Sequence, residues 1–231
     1  MYERKRMDNK LFSSPFANKE DLWKEGLDNV LKRYLSFPEN KIIETDFAYN
    51  VVFNNPRALD IVNVENDERY LIYLSTESDK TSYDMLRTSK IPLLGDRQET
   101  YGLTVIRIPL HTKGLGSIVY PEQYFTGQRY LGALEIMREL GKYIGQIYNR
   151  TKHVPKTLDL KKFAIVGGET GLIRMVPPYE LSSDFNELNF VSSLAQSLKE
   201  CDPVNSDKHD IHVQVFYRSL KDVINKDVKS E

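Results

Sequence analysis

The longest regular hydrophobic pattern in the chain lies in its second half. Tyr130, Leu134, Met137, Gly141, Ile144 and Tyr148 recur in alternating steps of four and three, the spacing that brings side chains to one face of an α-helix. Gly141 and Gly145 lie one turn apart on that helix. Glycine costs about 1 kcal/mol relative to alanine in a helix interior, so the pair is expected where a neighbouring backbone comes close. After a basic loop the pattern becomes that of strands: Phe163-Ala-Ile-Val166, a turn at Gly167-Gly-Glu-Thr-Gly171, then Leu172-Ile-Arg-Met-Val176, ending at Pro177-Pro178. A hairpin over residues 163–176 is predicted, with glycines supplying the positive φ of its turn.

Upstream, residues 1–17 are polar and basic, broken at Ser13-Ser-Pro15, and read as a flexible lead-in. Asn18 is placed to cap a helix lined by Trp23, Leu27, Val30, Leu31 and Tyr34. Residues 42–111 carry strand patterns at 46–53, at 59–64 and 70–74 around a turn at Glu65-Asn-Asp67, and at 103–110. A short helix over 81–90 separates them, with Tyr83, Met85 and Leu86 as its apolar side. Gly114-Leu-Gly116 and Pro121 mark a connector. Beyond the hairpin, Asp184 and Glu187 open a helix in capping-box style, lined by Phe190, Leu194 and Leu198. A second helix follows, lined by Val213, Phe216, Leu220 and Ile224, after an exposed polar linker over 202–210. The fold class is α+β. An N-terminal helix plus antiparallel β unit spans 18–113, and a mostly helical part with the hairpin spans 114–231.

Composition narrows the function classes. The 231 residues are 40% hydrophobic, enough for a core that needs neither disulfides nor metals. A net charge of −1, from 32 basic and 33 acidic residues, argues against holding nucleic acid by bulk charge. Cys201 is the only cysteine, which excludes an internal disulfide and a cysteine-based zinc site. Its neighbours Glu200 and Asp202 disfavour a thiolate. The charged N-terminus is no signal peptide, and no apolar run approaches the roughly 20 residues that span a bilayer. A cytoplasmic protein without a membrane partner is expected. Fourteen tyrosines against one tryptophan suit half-buried surfaces and interfaces.

Chemical motifs are sparse. The loop at 167–171 lacks the Lys-Ser/Thr and following helix of a phosphate-binding loop. Gly114-Leu-Gly116 has Val119 where a dinucleotide fingerprint needs its third glycine. His209-Asp-Ile-His212 has the i, i+3 spacing of metal ligands but no evident third or fourth donor. No metal and no cofactor is expected. Arg150, Lys152, Lys156, Lys161 and Lys162, with His153 among them, place five cations within thirteen residues. Such a run creates a local positive field for a phosphate or an acidic partner; the simpler reading is a solvated loop feeding a strand.

The order of elements resembles the protein-kinase-like fold, and is similar in particular to its aminoglycoside-phosphotransferase branch. The resemblance implies that residues 131–148 form the long helix of the C-lobe, 152–162 the catalytic loop, and 163–176 the hairpin before the magnesium-binding segment. The family's catalytic loop carries His-x-Asp and then an Asn. Aligned on Phe163, this chain has Pro155, Lys156 and Thr157 near the first motif and Lys162 at the Asn. The magnesium-binding Asp would fall near Pro177, and the third-strand lysine within 69–74, which contains none. Phosphoryl transfer depends on those groups for positioning and charge neutralisation; Asp159 and Asp184 are the nearest carboxylates that could compensate. The resemblance therefore implies a non-catalytic, kinase-like interaction or regulatory protein whose partner is another protein. One alternative is a divergent phosphotransferase-like or hydrolytic enzyme with a cleft near Tyr120, Lys161, Lys162 and Asp184. Another is a nucleic-acid or phosphate contact through residues 150–162.

Overall fold

The computed structural model describes residues 40–42, 58–63, 68–100, 103–109, 112–115, 128–166, 172–201, 203 and 208–227. Five strands form one antiparallel sheet: β1 (Asn40–Ile42), β2 (Ala58–Asn63), β3 (Glu68–Leu74), β4 (Asp96–Thr100) and β5 (Leu103–Ile108), in the order β1-β2-β3-β5-β4. The expected hairpin is present, with Ala58 opposite Tyr73 and Asn63 opposite Glu68. On β3 the face carrying Leu71 and Tyr73 lies opposite Ile106 and Thr104 of β5. Ile72, pointing the other way, is also buried.

The helix between β3 and β4, α1 (Glu77–Thr88), starts a turn earlier than its apolar pattern suggests. Thr76 caps it, its Oγ1 accepting from Asp79 N at 3.1 Å, and Glu77 and Asp79 in the first turn complement the helix dipole. At the other end Ile91 N donates to Leu86 O and Lys90 N to Arg87 O, both at 2.9 Å. Lys90 adopts φ 55° there, the left-handed residue of a Schellman stop. Strand β4 is a departure from the sequence pattern, because Asp-Arg-Gln-Glu-Thr has no apolar alternation. Backbone pairing with β5 makes it a strand. Gly95 before it has φ +54°, and a Cβ there would lie 1.8 Å from Arg107 O.

The second part contains β6 (Lys113–Gly114), α2 (Gln128–Thr151), β7 (Val154–Pro155), a 3₁₀ turn (Leu160–Lys162), β8 (Phe163–Val166), β9 (Leu172–Met175), β10 (Leu181–Ser182), α3 (Glu187–Cys201) and α4 (His209–Asp227). The expected hairpin β8–β9 pairs Phe163 with Met175 and Val166 with Leu172. The connector opens on a strand, since Lys113 and Gly114 pair with Ile165 and Ala164. Helix α2 packs on α4 through its glycines. A Cβ at Gly141 would lie 2.4 Å from Phe216 O, and one at Gly145 would lie 2.7 Å from Val223 Cβ.

Two expectations for the last helices need correction. Asn186 caps α3, its Oδ1 accepting from Asn189 N at 3.2 Å, because Asp184 lies too far upstream of the first turn. Glu187 turns instead to α4, where it accepts from Tyr217 Oη at 2.5 Å and pairs with Lys221. His209 and His212 are buried in the first turn of α4, not exposed in a linker. The expected lead-in and helix over 1–34, strand 46–53, turns 65–67 and 167–171, and Tyr120 lie outside the described residues.

The sheet unit meets the helical part at residues 91–94. Tyr143 Oη of α2 donates to Pro92 O at 2.8 Å and accepts from Met175 N at 3.1 Å. Leu93 bridges to Met175 in parallel fashion. The core runs through this junction, from Leu71 and Ile106 past Leu86 and Leu94 to Ile144, Phe163 and Leu220.

Candidate functional site

At the junction a buried carboxylate ties three elements together. Asp79, in the first turn of α1, is 1% exposed. Its Oδ2 accepts from Tyr73 Oη of β3 at 2.8 Å, and its Oδ1 accepts from the backbone N of Tyr179, beyond the β8–β9 hairpin. Tyr179 follows the cis peptide bond between Pro177 and Pro178. Its ring packs against Tyr83 of α1, centroids 5.4 Å apart, and Arg97 of β4 covers Tyr83 at 4.0 Å. Burial raises the pKa of Asp79; hydrogen bonds from Tyr73 and Tyr179 and the charge of Arg97 offset part of that shift, while Glu180 adds to it. Burial also raises the Tyr73 and Tyr179 hydroxyls, and the Asp79 carboxylate raises both further. Both hydroxyls stay protonated near neutral pH, and that of Tyr73 donates to Asp79.

The residues singled out from the sequence are distributed along one loop rather than gathered into a pocket. Arg150 Nη1 donates to Ser89 O at 3.3 Å and Lys90 O at 3.0 Å, covering carbonyls at the end of α1. Lys152 ends α2 with φ 56°, and its ammonium lies 5.7 Å from the Tyr148 ring centroid. His153 Nδ1 is 2.7 Å from Thr151 O; a carbonyl only accepts, so Nδ1 carries the proton. Lys156 is exposed, while its backbone N donates to Glu180 O at 2.9 Å. Lys161 faces Glu200 at 3.6 Å, and Lys162 pairs with Glu180 at 2.8 Å.

The two carboxylates considered as substitutes are placed differently. Asp159 caps the 3₁₀ turn, accepting from Lys161 N at 2.9 Å and from Ser197 Oγ at 3.1 Å. Asp184 is exposed between β10 and α3. Among the described residues no group of three His, Cys, Asp or Glu side chains could hold a metal ion. No helix among them is long and apolar enough to cross a membrane.

Sequence reasoning missed Tyr73, Asp79, Tyr179 and Glu180. The available signal was Thr76-Glu-Ser-Asp79, an N-cap with acidic residues in the next turn. It moves the helix start forward and puts Asp79 on the same face as Tyr83 and Leu86.

The architecture is α+β: an antiparallel sheet interrupted by one helix, then a long helix, a loop and a hairpin. No protein-family model matches the sequence, and no curated protein matches it. Among solved structures, WaaP in complex with acyl carrier protein is similar over 82% of this chain and 83% of that one, with a TM-score of 0.48 and 8% identity. A second is a divergent kinase lacking the glycine-rich loop, described as regulating membrane ultrastructure of the Toxoplasma parasitophorous vacuole. It is similar over 92% of this chain and 86% of that one, with a TM-score of 0.47 and 13% identity. Both are likenesses of outline.

Proposed function

We propose that this chain is a non-catalytic, kinase-like protein that acts in the cytoplasm by binding another protein. The observation that carries the reading is the hydrogen-bonded junction of Tyr73, Asp79 and Tyr179. An active kinase joins a third-strand lysine to a helix glutamate and holds Mg²⁺ with an aspartate after the hairpin. In this chain Tyr73 lies in the strand where that lysine would fall, and Asp79 on the next helix accepts from its hydroxyl. The backbone of Tyr179, just beyond Pro177, supplies the third contact. Lys162, at the position of the second metal ligand, brings a positive charge already paired with Glu180. Both arrangements supply protein hydrogen bonds and charge pairs where the family uses a nucleotide phosphate and a metal.

The test is a titration of the chain with ATP and Mg²⁺, read as thermal stability. A ligand that binds only the native state raises the melting temperature with concentration, so no shift is expected up to millimolar nucleotide. A saturable rise that requires Mg²⁺ would overturn the non-catalytic reading. Pull-down from a native extract then names the partner.

A further inference from the structure

Strands β8 and β9 form a hairpin whose two faces differ. The register pairs Phe163 with Met175 and Ile165 with Ile173, and all four side chains are buried in the core. The alternate pairs, Ala164 with Arg174 and Val166 with Leu172, point the other way, because successive side chains of a strand alternate between faces. On that outer face Ala164 is buried, Val166 and Arg174 are half-buried, and Leu172 is 60% exposed. One exposed leucine is ordinary on a protein surface. The arginine beside it is not. Lys80, Lys142, Lys161, Lys162 and Lys221 are also half-buried, and each faces a carboxylate. Arg174 faces none among the described residues; its Nη1 donates to the neutral Ile173 O at 2.8 Å. Its Nε and Nη2 are not among the buried, unmatched polar atoms of the described residues, so they reach solvent. Burial pulls the pKa of Arg174 down, and the Tyr143 hydroxyl offsets part of that shift.

A cation partly withdrawn from water without a counter-charge costs free energy, and a carboxylate arriving from outside removes that cost. Nε and Nη2 of one guanidinium present two parallel N–H donors, the fork that a carboxylate accepts from with both oxygens. A phosphate would bring more charge into a setting edged by Val166 and Leu172, so the apolar neighbours favour the carboxylate. A single cation gives an extended polyanion no track to follow, and the net charge of −1 adds no pull toward one. Leu172 and Arg174 lie two positions apart on one strand, about 7 Å, the separation of side chains two positions apart on another extended segment. We propose that the outer face of the β8–β9 hairpin docks an extended segment of a partner protein, with a carboxylate of that segment on Arg174 and an apolar side chain two positions away on Leu172 and Val166. The proposal rests on the reading that this chain works by binding another protein, and it names the surface and the chemistry of what binds. It does not depend on the absence of catalysis.

The experiment titrates the isotope-labelled full chain with the peptide acetyl-Gly-Leu-Ser-Glu-Gly-amide to millimolar concentration, followed by NMR at the Arg174 Nε–H and Leu172 amide signals. Saturable shifts of both signals are expected. Replacing the peptide glutamate by glutamine is expected to weaken binding at least about fivefold, because a charge-assisted pair is lost. Arg174→Gln is expected to weaken it equally, and Leu172→Ser about threefold. Lys152→Gln with Lys156→Gln, in the basic loop, is expected to change it less than about twofold. Arg174→Met is expected to keep or raise the melting temperature, since it removes a half-buried charge that has no counter-charge. Equal affinity of the parent and Arg174→Gln would overturn the proposal, as would equal affinity of the two peptides or the absence of saturable shifts. A lower melting temperature of Arg174→Met would also overturn it, by making the arginine a structural residue. Self-association seen by light scattering and abolished by Arg174→Glu would make the occupant a second copy of this chain and overturn the assignment to a different protein. If a partner identified by pull-down bound Arg174→Gln as tightly as the parent, this surface would be wrong while the protein-binding reading stood. A positive ATP titration would overturn the non-catalytic reading and leave the peptide result standing.

Discussion

The buried junction around Asp79 and the basic loop after α2 are both rich in polar groups, and they are built in opposite ways. At the junction one carboxylate, 1% exposed, connects residues from three elements. In the loop, the ammonium groups face carboxylates through water-accessible geometry: the Lys161 side chain is 24% exposed and its partner Glu200 48%. Exposed pairs contribute about 0.2–1 kcal/mol each, whereas a buried donor or acceptor left unmatched costs about 1–3 kcal/mol. A high density of charge in the sequence thus marks the region where each contact matters little. At the junction a single acidic residue carries the buried polar contact between the sheet unit and the segment after the β8–β9 hairpin.

Asp79→Ala tests that asymmetry most strongly. It strands the Tyr73 hydroxyl and the Tyr179 N–H in a dry environment, so a loss of about 2–4 kcal/mol is expected. Denaturant unfolding gives the value directly. Asp79→Asn keeps the shape and offers an oxygen to Tyr179 N, while the Tyr73 hydroxyl can rotate to accept from the new amide. It is expected to stay within about 1 kcal/mol of the parent at neutral pH. If the alanine variant lost no more than the asparagine variant, the junction would be no more consequential than the surface loop.

The same carboxylate gives a pH signature of smaller size. Its native pKa is raised by burial, so the folded state holds the proton more tightly than the unfolded chain does. Its contribution is complete below the unfolded value of about 3.9. That contribution is lost as pH rises through the higher native value, because the unfolded chain binds fewer protons there. The parent is therefore expected to lose stability relative to Asp79→Asn as pH rises from about 4 toward neutrality. Paired unfolding curves at several pH values measure the difference. A difference that stays flat across that range would mean that Asp79 titrates as it does in the unfolded chain.

What could be read from the sequence follows the same division. Periodic apolar positions gave α2 and the β8–β9 hairpin, and Gly141 and Gly145 announced the close approach of α4, because backbone contact leaves no alternative residue. Strand β4 was not legible, since Asp-Arg-Gln-Glu-Thr becomes a strand only through its neighbour β5. Nor was Asp79: its partners are 6 and 100 positions away, and no local pattern reports a contact of that separation. Lys161 and Lys162 stood out as cations, but Glu200 and Glu180 are brought to them only by the packing of α3 and the turn before β10. The α+β order of elements was readable because it follows from apolar periodicity and turn residues along the chain.

Underneath the loop lies one contact that is buried like the junction. Ser197 Oγ of α3 accepts from Leu160 N at 2.9 Å and donates to Asp159 at 3.1 Å. Ser197→Ala removes the acceptor of a buried N–H and is expected to cost about 1–2 kcal/mol, between the junction and the surface pairs. Thermal unfolding of the variant checks it, and a cost as large as that of Asp79→Ala would erase the distinction between the two regions.

The smallest effect belongs to Lys162 and Glu180. Their 2.8 Å pair is the best formed of the loop, yet the lysine side chain is 23% and the glutamate 41% exposed, which places it among solvated bridges. A double-mutant cycle of Lys162→Ala and Glu180→Ala is expected to give a coupling below about 1 kcal/mol that shrinks at high salt. Glu180 also helps to raise the proton affinity of Asp79, so removing it acts on the junction as well as on the pair. Running the cycle in the Asp79→Asn background silences that second path and leaves the ion pair alone. A coupling above 2 kcal/mol there, insensitive to salt, would show that the loop is held as firmly as the junction.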